Sequence, residues 1–182
     1  MSIDWDSIRN ALPIRKTPEE YERRSEKWKV LDFNGNGYVS LAELDKFLNE
    51  SMGNPHLFDS KPVIIRAHNA AKAKVKTKSL HGPDYVERCE FRLVLVYLRQ
   101  YFEYWAAFKR VDKSDDDRIS LIEFMDAKDS IEVWVGPIDD VEATFQEIDT
   151  NGGGKILFKE FCRWATRKSL DLEDDDDYDT HH

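Results

Sequence analysis

Apolar residues return along this chain in short blocks at helical spacing, and the blocks are separated by polar, acidic stretches, a pattern that predicts helices joined by loops. Trp5, Ile8 and Leu12 mark a short amphipathic helix, with Asp4 placed to cap it and Pro13 to end it. Thr17, Pro18 and Glu20 then form a capping-box start to a helix that runs through Tyr21, Trp28 and Leu31. Leu44, Phe47 and Leu48 resume the apolar face beyond the next polar stretch. Residues 91–111 contain no Gly or Pro and are apolar on nearly all sides, through Leu93, Val94, Leu95, Tyr97, Leu98, Phe102, Trp105 and Phe108. A free rod of this composition would be insoluble, so the segment is expected to pack between the two halves of the chain.

The polar stretches repeat. Asp32–Glu43, Asp112–Glu123 and Asp149–Glu160 each span twelve residues, begin with Asp and end with Glu. Each has an aromatic four residues earlier (Trp28, Phe108, Phe145), an apolar residue just after (Leu44, Phe124, Phe161) and a β-branched residue eighth in the stretch (Val39, Ile119, Ile156). Ser79–Glu90 keeps the same frame, with Val75, Val86 and Phe91 at those places. Starts at 32, 79, 112 and 149 make four copies of one helix–loop–helix unit, and Met52–Pro55 reads as a turn-rich insertion in the first gap.

The first loop shows what the unit is for. Asp32, Asn34 and Asn36 put side-chain oxygens at positions 1, 3 and 5, Tyr38 offers a carbonyl at 7, Ser40 can hold a water at 9, and Glu43 closes the shell with both oxygens. Gly37 supplies the turn at position 6. This is the Ca²⁺ loop of an EF-hand. In the third loop Asp112, Ser114, Asp116, the Arg118 carbonyl and Glu123 supply the ligands, with Asp117 where Gly is usual. In the fourth, Asp149, Asn151, the Lys155 carbonyl and Glu160 remain, while Gly153 and Leu157 leave positions 5 and 9 to water. The second loop has Ser79, His81 and Pro83 at positions 1, 3 and 5, so it reads as a degenerate hand kept to pair with the first.

The expected fold is all-α: four EF-hands in two paired lobes, packed as one compact body, with short β-bridges between paired loops. Residues 1–16 form an N-terminal segment, 17–98 the first pair, 99–170 the second pair and 171–182 an acidic disordered tail. Charge changes the picture only at that end. Seven carboxylates between Asp171 and Asp179 account for most of the net charge of −9 and leave the rest at −2. The acidic balance disfavours nucleic acid. Basic clusters at Arg15, Lys16, Arg23, Arg24, Lys27 and Lys29, and at Lys72, Lys74, Lys76 and Lys78, allow a peripheral membrane contact. Cys89 and Cys162 are too few and too far apart for a metal pair and are expected reduced. No apolar run approaches a membrane span and no secretion signal opens the chain, so a cytoplasmic address is expected. No nucleophile with a base, phosphate loop or zinc motif supports an enzyme.

Four features together resemble the calflagins, flagellar calcium-binding proteins of flagellated protists. They are W-x-x-I-R-x-A-L-P at Trp5–Pro13, the degenerate second hand followed by E-F-R-L at Glu90–Leu93, the aromatic link through Phe102, and F-x-E-F-x-x-W at Phe158–Trp164. The resemblance implies a compact four-hand calcium sensor of a flagellum or cilium, working at the inner membrane face through an acylated N-terminus and basic residues. Ser2 stands where that family carries the Gly needed for N-myristoylation, and the first loop is more complete than the family pattern. A sensor that engages a protein or membrane partner is therefore expected, with Mg²⁺ in the resting sites. A buffer remains the alternative, and a photoprotein-like ligand carrier a more distant one, suggested by five Trp, seven Tyr and five His.

Overall fold

In a computed structural model of the protein, residues 5–51, 61–74 and 80–168 are described. The elements in order are α1 (Trp5–Ala11), α2 (Pro18–Leu31), β1 (Tyr38–Ser40), α3 (Leu41–Ser51), α4 (Lys61–Lys74), β2 (Tyr85–Glu87), α5 (Phe91–Val111), β3 (Arg118–Ser120), α6 (Leu121–Asp126), α7 (Lys128–Val135), α8 (Val141–Ile148), β4 (Lys155–Leu157) and α9 (Phe158–Lys168). The Asp4 cap, the insertion at Met52–Pro55, Val75, Ser79, Lys76, Lys78 and the acidic tail lie outside the described residues. Two compact units emerge, one reaching to Phe102 and the other beginning at Glu103, so α5 contributes residues to both.

Each unit is a pair of hands joined by a two-stranded antiparallel sheet. β1 pairs with β2 and β3 with β4, in registers that set Val39 opposite Val86 and Ile119 opposite Ile156. All four eighth-position side chains are buried. The predicted β-bridge thus forms in both pairs, with its apolar residues turned to the core.

The other frame positions explain why the hands pair. In the second unit, Phe108 before loop three meets Phe161 after loop four at 5.6 Å, and Phe145 before loop four meets Phe124 after loop three at 5.9 Å. The first unit repeats the exchange, with Trp28 5.3 Å from Phe91. Each hand therefore buries aromatic faces of its helices against its partner, and the aromatic contacts add about 0.5–1.5 kcal/mol apiece to the burial itself. On α5, every residue from Phe91 to Val96 is buried, and Leu98 and Phe102 are too, which accounts for a helix apolar on so many sides.

Caps fix the helix starts. Thr17 Oγ accepts the Glu20 N–H at 3.4 Å with Pro18 in the first turn, as expected. The box does not close, because the Glu20 carboxylate goes instead to the Arg15 N–H at 2.6 Å. The exit side of the third hand also differs from a single helix: it breaks at Ala127 into α6 and α7. Gly136, at φ 89°, then ends α7 in the left-handed region that glycine takes most cheaply.

The N-terminal segment is docked as a strut. Ile8 and Leu12 are buried, and Arg24, 1% exposed, extends Nη1 to the carbonyl of Arg15 at 2.7 Å and to that of Pro13 at 3.4 Å. Arg23 bonds the Asn10 carbonyl, and Arg92 Nε reaches the Ile14 carbonyl at 2.7 Å. Arg24 is accordingly spent on the protein's own backbone and not on a surface. Arg24→Met, which leaves these carbonyls without their charged donor, is expected to cost the docked state about 2 kcal/mol. Amide exchange at the Leu12 N–H, now bonded to Ile8, should speed up while the second unit keeps its protection.

Candidate metal centres

The three loops that keep Asp and Glu at their ends are built on the same internal bonds. Asp32, Asp112 and Asp149 each cap a helix end and turn both carboxylate oxygens back onto the loop. They accept the N–H groups of Asn36 and Gly37, of Asp116 and Asp117, and of Gly153 and Gly154, at 2.8–3.3 Å. Asn34 and Asn151 accept the N–H of the fifth residue, and Asn36 and Asp116 that of the seventh. The chain is thereby curled so that the side-chain oxygens of positions 1 and 3, and of position 5 in loops one and three, share one concave side.

Such a curl needs left-handed residues. Gly37 (φ 89°) and Gly154 (φ 80°) take the sixth position in loops one and four. In loop three Asp117 adopts φ 59° there, and Asp115 adopts φ 58° two residues earlier, a conformation that costs an L-residue energy. Lys109 offsets this. Its ammonium lies 3.2 Å from Asp112 and 2.8 Å from Asp117 and also bonds Asp115, contacts that raise its pKa against the lowering effect of burial.

The closing glutamates do two jobs. Glu43, Glu123 and Glu160 each accept the N–H of the ninth residue, Ser40, Ser120 or Leu157, at 2.7–2.8 Å, which caps the exit helix. In loops three and four the other oxygen crosses to the third residue's N–H, at 2.9 Å from Ser114 and 3.1 Å from Asn151, and so lies over the loop. In loop one, Glu43 bonds only Ser40 among the described residues. The Ser40 hydroxyl donates to that carboxylate and accepts the Glu43 N–H, so it serves the cap where the sequence suggested a water holder.

For Glu123, burial pushes the pKa up but is outweighed by the Ser120 and Ser114 N–H and hydroxyl donors, which bring it to about 2. A depressed carboxylate contributes stability that is fully present above its ordinary value of 4.5 and is lost as pH falls through about 2. In metal-free protein the Glu123 carboxyl carbon is expected to titrate by NMR well below the other glutamates. A midpoint near 4.5 would refute the closed arrangement.

Asp32, Asn34, Asn36, Tyr38 and Glu43 thus lie together in loop one, Asp112, Ser114, Asp116, Arg118 and Glu123 in loop three, and Asp149, Asn151, Lys155 and Glu160 in loop four. The donor sets are oxygen throughout and fit a hard divalent cation such as Ca²⁺, with charged ligands most numerous in loop three. Loop four is crowded at its fifth position: a Cβ on Gly153 would lie 2.9 Å from Asn151 Oδ1, so only glycine leaves that oxygen where it stands. Loop two does not fit. Its His81 ring turns to Glu87, and Glu90 is held by Lys72.

Sequence reasoning missed the lysines. Lys72 and Lys155, whose ammonium is 2.6 Å from Asp116, carry no local signal, since each partner is fixed by the fold, whereas Lys109 stands three residues before Asp112 and was legible in principle. The Lys155 contact lowers the Asp116 pKa and links loop four to a ligand of loop three. Glu87 was legible in principle, because it stands ninth in its loop, where an oxygen ligand is common.

Comparisons with known proteins agree with this geometry. Residues 8–98 match the FCaBP EF-hand domain and residues 104–166 an EF-hand domain pair. Flagellar calcium-binding protein TB-17 of Trypanosoma brucei brucei is 36% identical, over 96% of this chain and 76% of its own. The flagellar calcium-binding protein of Trypanosoma cruzi is 33% identical over 95% of this chain and 83% of its own. Calcium-binding protein 4 of Bos taurus is 26% identical over 82% of this chain and 53% of its own. The chain is a calcium-binding EF-hand protein.

Proposed function

This chain belongs to the family of flagellar calcium-binding proteins, and we propose that within it the protein is a calcium sensor that engages a partner when its loops fill. The observation that carries the reading is the double use of the closing glutamate. Glu43, Glu123 and Glu160 each sit in the first turn of an exit helix and are also the ligand that must grip the ion from both sides. Any change in that grip is passed to the helix itself, because the same carboxylate is its cap. The exit helices of the third hand carry exposed Ile122, Met125, Val133 and Trp134, apolar side chains that a helix movement would rearrange.

Mg²⁺, which favours six-coordinate geometry and holds its waters, occupies the sites at rest and leaves the glutamates less engaged. The flagellum is the proposed location, on the strength of the named relatives. Arg15, Lys16 and Lys29 remain exposed and supply a weak attraction to an anionic membrane face.

Fluorescence of a dye for apolar surface, read as calcium is added to the Mg²⁺-loaded protein, tests the sensor. A saturable change at roughly 10⁻⁷–10⁻⁵ M free calcium, the range of sensor sites, supports it. A flat signal while calorimetry still registers ions leaves a buffer.

A further inference from the structure

In the second hand the cation that meets the closing glutamate belongs to the protein. Lys72, on the incoming helix α4, sets its ammonium 2.9 and 3.0 Å from the two oxygens of Glu90, the twelfth residue of the loop. The two side chains are only 12% and 2% exposed. Glu90 also accepts the Glu87 N–H at 2.9 Å. Glu87 in turn gathers the start of the loop, accepting the N–H groups of Leu80 and His81 at 2.6 and 3.1 Å and holding the His81 ring at 3.1 Å.

The network then crosses to the first hand. The His81 ring stacks on the Tyr38 ring, centroid to centroid 4.0 Å, and Tyr85 meets the Tyr38 ring edge-on at 5.1 Å. Tyr38 pairs with Glu87 in the β1–β2 register and is the residue whose carbonyl serves loop one. A carboxylate as buried as Glu90 demands a counter-charge. Calcium could supply one only while bound, whereas Lys72 is attached to the chain and supplies it always.

We infer that Lys72 is a positioning residue for calcium binding at loop one: its ammonium keeps the second hand closed without metal, and through Glu90, Glu87 and His81 that hand holds Tyr38 ready for the ion. The inference rests on loop one being a calcium site. Hand two is then a fixed half against which hand one responds, and only hand one of this pair reports calcium.

Calorimetric calcium titration of the full chain in Mg²⁺ decides it. Glu43→Gln first marks the loop-one component by removing it; a titration that Glu43→Gln leaves unchanged overturns the loop-one reading and this inference with it. If that component is present, Lys72→Met is expected to weaken it roughly tenfold, the size of coupling found within one bonded network, and to spare loops three and four. Lys72→Arg should keep it near its original strength. Wild-type affinity in Lys72→Met overturns the inference alone, as does full recovery in the charge-free pair Lys72→Met with Glu90→Gln, since the cation would then be dispensable. Where circular dichroism shows Lys72→Met unfolded, Glu90→Gln is read instead: a weakened loop one supports the clamp and an unchanged one overturns it.

Discussion

Glu123→Gln is expected to weaken calcium binding at loop three roughly 100-fold, equivalent to about 3 kcal/mol. The substitution keeps the shape and removes the charge, and it changes what the group can accept. Glu123 Oε1 takes the Ser114 N–H at 2.9 Å, while Oε2 takes the Ser120 N–H at 2.8 Å and its hydroxyl at 2.9 Å. A glutamine can present an oxygen to only one of these sites and must aim an NH₂ at the other, donor against donor. The anionic two-oxygen grip on the ion is lost in the same step. Calorimetry should show one component displaced to weaker binding, with the helical signal of the protein retained. A fall of less than about threefold, under 1 kcal/mol, would mean that loop three is not organised around this carboxylate.

The second large effect lies in the core of the second unit. Trp164→Ala is expected to lower unfolding stability in chelator by about 3–5 kcal/mol, the usual result of emptying a large aromatic site. Trp164 is 1% exposed and packs on Phe161 at 6.0 Å and Phe124 at 6.3 Å, so its removal loosens the aromatic exchange that joins hands three and four. Trp164→Phe separates packing from polarity. The indole Nε1 is buried and has no hydrogen-bond partner among the described residues. An unpaired buried donor costs about 1–3 kcal/mol, and phenylalanine removes it while keeping most of the ring. The Phe variant should therefore lie within about 1.5 kcal/mol of the parent, since removing the unpaired donor offsets part of the smaller cavity it leaves. Equal losses for Ala and Phe would show that the indole is paired after all.

These effects fall where the chain repeats itself, and the repeat is what made so much legible. Position within a twelve-residue loop determines whether a side chain faces an ion, a partner strand or a core, so Val39, Val86, Ile119 and Ile156 could be assigned to the bridge from spacing alone. Trp28, Phe108 and Phe145 followed by the same reasoning. The left-handed turn at Asp117 was readable too, because the loop requires it whatever residue stands there.

Contacts of long, charged side chains were not readable. Glu20 was expected to close a capping box and instead reaches Arg15, because the strut brings that N–H within its range. Arg24 reads as one member of a basic surface run, yet the fold buries it against two backbone carbonyls. The break at Ala127 also has no glycine or proline to announce it.

In the sequence by itself, residue type at a fixed local offset was enough for the four-hand frame, the candidate ligand oxygens of loops one, three and four, and the absence of a carboxylate at the first, third and fifth places of loop two. Tertiary structure alone decided which cation each spare carboxylate meets. Lys72 reaches Glu90 across eighteen residues and Lys155 reaches Asp116 across thirty-nine, distances over which spacing carries no information until the sheet registers bring the loops together.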